Sequence, residues 1–399
     1  LTWFFATEFI MSSRVAIVST ARTPFTRAHK GELRETRPDT LAAMAIKAAM
    51  DRAPGLDPAE VDDVILGCAF PEAEQGMNVA RTAALMAGLP NETSGMTINR
   101  FCSSGVQTIA TGAQQILAGS SRVVIAGGTE SMTMIPMGGN KVSANPDVMA
   151  NHPEIYISMG ATAENVAAKF GVTRETQDAF AAESQRRAAV AQKEGKLSDE
   201  IFEVTVKVTG PDGEIHEITL DHDTINRPDT TVESLARLRP AFRPTGTVTA
   251  GNASPLTDGA AAAVLMMEEH AKELGLKPLG YYKSFVVAGV EPELMGIGPV
   301  PAIRKLLKLN NLTIDDIDIF EINEAFAAQA SYCVKELGID PKKVNPNGGA
   351  MALGHPLGVS GTRMVGTLLR ELNRTGGKLG VVSMCIGGGM GAAGLFEAA

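Results

Sequence analysis

Four short stretches of this chain concentrate side chains capable of covalent or proton-transfer chemistry. In Asn99-Arg100-Phe101-Cys102-Ser103-Ser104-Gly105, a cysteine stands where a strand pattern gives way to a helix pattern. Unpaired backbone N–H groups and the positive end of the helix dipole at such a junction favour a thiolate, so the setting predicts a lowered pKa for Cys102. The plainer alternative is a cysteine packed as a small hydrophobe. In the run from Asn347 to Gly358 (NGGAMALGHPLG), His355, one of only six histidines, lies among glycines, and Pro356 suits the first position of a helix. A cysteine and a histidine within hydrogen-bond reach make an activated nucleophile. In the run from Ser383 to Gly391 (SMCIGGGMG), a buried strand delivers Cys385 into a glycine-rich turn. The N–H groups of that turn can hold a developing oxyanion. A phosphate cradle is the competing reading, and no Lys-Ser/Thr follows to support it. In Glu321-Ile322-Asn323-Glu324-Ala325-Phe326-Ala327, Asn323 stands just past a strand end, where the sites of α/β folds gather. It can orient a water or a neighbouring histidine, or serve only to cap a helix.

The elements that must position these groups alternate in type. Strand patterns over 15–20, 61–67 and 123–127 are interleaved with helix patterns over 40–52, 79–87 and 105–118, which argues for an α/β fold. From Gly128 to about Thr249 the chain turns polar and charged. A helix capped by Thr173 runs to Gln192, and strands over 201–208 and 214–220 flank the turn Pro211-Asp212-Gly213. This stretch reads as an insertion on the core. The last third repeats the first. The Asp pair of VDDVIL recurs in IDDIDIFEI at an offset of 253 (315 − 62), which places His355 opposite Cys102 and Gly358 opposite Gly105.

Composition bounds the class. The 399 residues are 44 % hydrophobic and 20 % charged, a globular balance with enough length for two or three domains. The formal net charge of −9 argues against a nucleic-acid binder, which needs a basic excess. Four dispersed cysteines suit a reducing compartment, and none lies at zinc-site spacing, so no metal is expected. No apolar run reaches the roughly 18–20 residues that span a bilayer. Residues 1–10, apolar but without a basic start, read as an extension ahead of Met11, not as a signal peptide. The closing FEAA carries no organelle address, and the cytoplasm is the expected location.

In this order, NRFCSSG, NEAFA, GGAMALGHPLG and CIGGGMG resemble the thiolase family, and the resemblance runs from Met11 to Ala399. It includes TESM at Thr129–Met132, MGATAENVA at Met159–Ala167 and VTAGNASPLTDGAAA at Val248–Ala262. It implies two similar βαβαβαββ halves in five layers, αβαβα, with an inserted loop domain. The halves would span 11–273, including the loop domain at 128–249, and 274–399. It implies Cys102 as the acyl-carrying nucleophile, His355 as its activator and Cys385 as the second acid/base. Asn323 would hold a water that completes one oxyanion hole with His355, and the backbone N–H groups of Cys102 and Gly387 would form the other. Coenzyme A would be a co-substrate and not a resident cofactor, met by Arg227, Ser254 and the loop at Ser158-Met159, with Met295 and Phe326 lining the acyl end. Acetoacetyl-CoA-forming members carry a His before that Met-Gly, and here Ser158 stands there. With MGIGP and INEAFA, this resembles the degradative 3-ketoacyl-CoA thiolases. The expected activity is therefore thiolysis of 3-ketoacyl-CoA by a homodimer or homotetramer. The rival activities are acetoacetyl-CoA formation and, from another class, non-catalytic lipid binding. Retention of both cysteines and the histidine speaks against the last.

Overall fold

The computed structural model describes residues 14–399, so the reading of residues 1–10 as an extension lies outside the described residues. The first half comprises β1 (Val15–Arg22), a short β2 (Thr26–Arg27), α1 (Pro38–Asp51), β3 (Val61–Gly67), α2 (Val79–Met86), β4 (Ser94–Ile98), α3 (Ser104–Leu117) and β5 (Val123–Ser131). An insertion follows, with α4 (Pro146–Asn151), α5 (Met159–Phe170), α6 (Arg174–Lys193), β6 (Val204–Thr209), β7 (Ile215–Leu220) and α7 (Val232–Ala236). The first half closes with β8 (Thr257–Met267) and α8 (Glu268–Glu273). The second half comprises β9 (Gly280–Gly289), α9 (Pro299–Leu309), β10 (Ile319–Ile322), α10 (Ala327–Leu337), α11 (Ala350–Leu353), α12 (Ser360–Thr375), β11 (Leu379–Ile386) and β12 (Met390–Ala398).

Sheet order displays the repeat. The first half reads β4-β3-β5-β8-β1 and the second β10-β11-β12-β9, and the two meet where β1 pairs with β9. Val344, bridged in parallel to Phe320, takes the place of β4 in the second half. β3, β4 and β5 are mutually parallel and β8 is antiparallel to β5, as β10 and β11 are parallel and β12 is antiparallel to β11. β5 is buried along its whole length, which is why it reads as an apolar run without alternation.

Three apolar clusters build the layers. One packs α1 and α2 on the outer face of the first half, and another packs α9 on the outer face of the second. The third holds α3 and α12 between the halves, with Ile109, Leu368 and Leu369 fully buried. Each such aliphatic side chain contributes about 1.5–3 kcal/mol of burial. Glycine lets these two central helices touch at their starts: a side chain at Gly105 would fall 2.7 Å from the Thr362 backbone nitrogen.

The register of the repeat differs from the offset of 253 expected above. α3 and α12, and likewise β5 and β11, begin 256 residues apart (360 − 104; 379 − 123). Gly358, not His355, therefore stands where Cys102 does. The Asp pairs misled because Val61 already lies in β3, whereas Asp315 precedes β10 by four residues.

The insertion is anchored by charge. Arg22 is buried and donates to Glu200 at 2.8 Å and to both Asp223 oxygens at 2.7 and 2.8 Å. The Asp223 carboxylate also accepts from the Phe25 N–H. α6 starts at its Thr173 cap, whose hydroxyl accepts from the Thr176 N–H.

Candidate active site

Cys102 lies in a 3₁₀ turn, Phe101–Ser103, immediately ahead of α3. Phe101 has φ +42°, a left-handed conformation that a bulky side chain adopts only under constraint. Here the Asn99 side chain holds the Phe101 N–H at 2.8 Å, and the Ser104 hydroxyl donates to the Phe101 carbonyl at 2.7 Å. The strained turn sets the thiol beside the end of β11, where Gly387 lies against the Phe101 ring, and the Gly387 and Cys102 N–H groups favour the charged form of the thiol. The thiol is buried, and that reverses the expected pKa. Desolvation pushes Cys102 up to about 12 against the pull of the Gly387 and Cys102 N–H groups, and the Glu130 carboxylate pushes the same way as burial. Cys102 rests as a thiol, not a thiolate, and a base must take its proton.

His355 provides the complementary group. Gly354, at φ +100°, turns the chain from α11 into His355, and its lack of a side chain leaves room for Ile225. The His355 N–H donates to the Thr257 hydroxyl at 3.1 Å. Its Nδ1 lies 2.6 Å from the Ser360 hydroxyl, which in turn donates to the Pro356 carbonyl at 3.0 Å. With the hydroxyl proton so placed, Nδ1 carries the imidazole proton and Nε2 is the free base. The Asn323 amide donates to Nε2 at 3.2 Å. Burial lowers the His355 pKa to about 3, with the Arg363 charge as a second cause, so the ring is neutral.

Cys385 is fully buried near the end of β11, and its thiol is held well above the usual range by burial, then by the nearby Cys102 and Cys333. It shares one apolar cluster with Met295, Phe326, Ala163 and Val248, against which Met159 packs. Phe326 meets Phe242 edge-on at 5.9 Å. The expected acyl-lining residues and the second cysteine are thus one packed group. A side chain on Gly387 would touch the Phe101 ring at 3.5 Å and the Met159 sulfur at 3.7 Å.

The remaining expected residues lie farther out. Ser158 is exposed ahead of α5 and makes no capping bond. Arg227 is exposed on a groove of about 670 Å³ that runs past Arg27 and Leu238 to Ala253, Pro255 and Met351. Ser254 stands between two of those lining residues, and its N–H donates to the Ala325 carbonyl at 3.0 Å, beside Phe326. Among the described residues no cluster of His, Cys, Asp or Glu could hold a metal ion.

Four groups escaped the sequence reading. Ser360 and Thr257 orient His355, and nothing local marks them, because one is a helix start and the other lies in a distant strand. Gln185, on α6, bonds to the Arg227 N–H and the Met351 carbonyl. Glu130, inside TESM, is buried where the halves join. One carboxylate oxygen accepts from the N–H groups of Ala69 and Gly358, both at 2.8 Å, and the other from the Gln75 amide at 2.7 Å. It fastens the His355 segment to the strand end after β3, behind Cys102.

Comparison with known proteins places this geometry. A family model described as "Thiolase, N-terminal domain" matches residues 15–269, and one described as "Thiolase, C-terminal domain" matches residues 276–398. The "3-ketoacyl-CoA thiolase" of Bacillus subtilis is 53 % identical over 386 residues, covering 96 % of this chain and 98 % of that protein. Among solved structures, the dimeric peroxisomal thiolase of Saccharomyces cerevisiae superposes with a TM-score of 0.87 at 42 % identity, covering 97 % of this chain and 98 % of that one. The acetyl-CoA acetyltransferase of Bacillus anthracis gives the same TM-score, 0.87, at 43 % identity, covering 97 % and 99 %.

Proposed function

Because this chain belongs to the thiolase family, we propose that it cleaves 3-ketoacyl-CoA with coenzyme A, giving acetyl-CoA and an acyl-CoA two carbons shorter, through a cysteine acyl-enzyme. It is an acyltransferase. The observation that carries the site assignment is the packing of Gly387 against the Phe101 ring, next to Cys102, which brings the strand end bearing Cys385 onto the nucleophile's turn.

In the first half-reaction Cys102 Sγ attacks the C3 ketone, and its proton passes to His355 Nε2. The C3 oxyanion is held by the backbone N–H groups of Cys102 and Gly387. The C2–C3 bond breaks and leaves an acyl group on Cys102 and an enolate of acetyl-CoA. That enolate oxygen faces His355 and a water held by the Asn323 side-chain oxygen, which is buried and has no hydrogen-bond partner among the described residues. Cys385 delivers a proton to C2 and becomes a thiolate. In the second half-reaction the incoming coenzyme A thiol gives its proton to Cys385 and attacks the thioester. Cys102 leaves and recovers its proton from His355. Two neutral thiols and a neutral imidazole are suited to this exchange, because each proton moves only as a bond to sulfur or carbon forms or breaks.

Arg227 would meet a phosphate of coenzyme A, while Ser254, Ser158 and Met159 would guide the arm inward and Met295 and Phe326 the acyl chain. The two catalytic halves are proposed as 11–273, with the loop domain at 128–249, and 274–399. The pathway we assign is fatty-acid β-oxidation in the cytoplasm, by a homodimer or homotetramer. The outer edge of β4, unpaired among the described residues, and the dimeric yeast neighbour support association. No helix among the described residues is long and apolar enough to cross a membrane. Thiolysis rates over a series of 3-ketoacyl-CoA chain lengths test the reading, and absence of thiolysis at every length overturns it.

A further inference from the structure

Resting on the reading of the Arg227 groove as the coenzyme A site, we propose that Gln185 is a positioning residue that couples occupancy of the outer groove to the segment carrying His355. Gln185 is buried on α6, and every polar atom of its side chain is engaged. Its Oε1 accepts from the Arg227 N–H at 2.8 Å and from the Asn226 amide at 3.0 Å. Its Nε2 donates to the Met351 carbonyl at 3.0 Å, four residues before His355. The Asn226 amide also reaches the Gln185 carbonyl at 3.0 Å. One planar amide therefore joins the backbone of the Arg227 loop to the backbone of α11.

The neighbouring residue strengthens the geometry. Ser184 donates to Glu324 at 2.6 Å and accepts from the Gly349 N–H at 3.1 Å. Glu324 follows Asn323, whose amide holds His355 Nε2. Two consecutive residues of one helix thus hold the Arg227 loop, the Asn323 turn and the first turn of α11. Ile225 rests on Gly354, a second and non-directional contact between the same segments.

Charge decides which part of the ligand sits at the outer end. Arg27 and Arg227 are exposed on the groove, beside one carboxylate, Asp229, whereas Met351 is buried, so phosphates belong on the two arginines and the thiol arm runs inward toward Met351. A phosphate on Arg227 stiffens its loop, fixes the plane of the Gln185 amide, and through Nε2 holds α11 and His355 in one arrangement. Binding energy from the non-reacting end of coenzyme A is then used at the reacting centre.

The test separates the ligand into its two ends. Acetoacetyl-N-acetylcysteamine and N-acetylcysteamine supply the reacting groups without phosphate, and adenosine 3′,5′-bisphosphate supplies the phosphates without a thiol. In the unaltered protein, saturating bisphosphate is expected to raise turnover of the short substrates by roughly 2- to 10-fold, the scale of one hydrogen bond. Gln185→Glu keeps the acceptor toward Arg227 and loses the donor toward Met351. It is expected to bind the bisphosphate with its ratio of stimulated to unstimulated rate near one. Gln185→Leu loses both links, and its ratio also falls to near one with weaker bisphosphate binding. Comparing ratios within each variant removes any general loss of folded protein. As a measurement needing no variant, bisphosphate should slow amide exchange across residues 349–358. Bisphosphate that binds but leaves rate and exchange unchanged, or stimulates the Gln185 variants equally, overturns the coupling alone. Bisphosphate that fails to compete with coenzyme A overturns the groove reading and the coupling with it.

Discussion

The Ser360 hydroxyl lies 2.6 Å from Nδ1 of His355 and donates its own hydrogen bond to the Pro356 carbonyl. This relationship leaves Nε2 unprotonated and facing Asn323. Ser360→Ala removes the group that selects the tautomer while leaving the helix start intact. Turnover is expected to fall roughly tenfold, on the scale of one lost hydrogen bond, with Tm nearly unchanged. Ser360→Thr, which keeps the hydroxyl, is expected to recover most of the rate. Steady-state kinetics of the pair checks this.

His355 also sets an acid limit on stability. Unfolded, the imidazole takes a proton near 6.5; folded, burial delays it to about 3. Between those values the unfolded chain binds more protons, so stability falls as pH is lowered. The contribution is full above pH 6.5 and is lost progressively toward pH 3. In His355→Asn the slope of unfolding free energy between pH 6 and pH 4 should be shallower by about 1.4 kcal/mol per pH unit. Urea unfolding at several pH values reads that slope.

Cys385 and Cys102 should separate kinetically. Cys385→Ala is expected to lower overall turnover by about 10²–10⁴, the scale of a positioned acid or base, while acyl transfer from a simple acyl-CoA to Cys102, in which a coenzyme A thiolate can leave without a proton from Cys385, falls far less. Rapid-quench measurement of acyl-enzyme against steady-state rate checks this. Equal loss of both would assign Cys385 a structural part only.

Chain-length preference follows from the apolar group around Cys385. Met159, Met295 and Phe326 offer surface to a growing acyl chain, and methionine adapts to varied shapes. Each buried methylene is worth roughly 0.8 kcal/mol, about fourfold. kcat/KM for thiolysis is therefore expected to rise from the four-carbon substrate to at least about six or eight carbons on that scale. A sharp preference for acetoacetyl-CoA would favour the acetyltransferase reading instead.

Much of this arrangement was legible in the sequence because the α/β alternation and the glycine-flanked Cys102, His355 and Cys385 are local patterns. Three features were not. The repeat offset of 253 came from an Asp pair that sits in a strand in one half and before a strand in the other, and only the helix starts reveal 256 (360 − 104). The charge state of Cys102 was read from its helix junction, but burial by Phe101 and β11 outweighs two backbone N–H groups. Thr257, Glu130 and Gln185 act through tertiary hydrogen bonds spanning up to 228 residues, which no local pattern encodes, and Ser360, a near neighbour of His355 in the chain, meets its ring only through the turn at Pro356.

The central claim is that Cys102 carries the acyl group. Incubation with radiolabelled acetyl-CoA, acid quench, proteolysis and mass spectrometry would locate the label directly. The expected result is one acetylated peptide containing Cys102, absent from Cys102→Ala and restored to the free thiol by added coenzyme A. Label on Cys385, Cys68 or Cys333, or label persisting in Cys102→Ala, would contradict it.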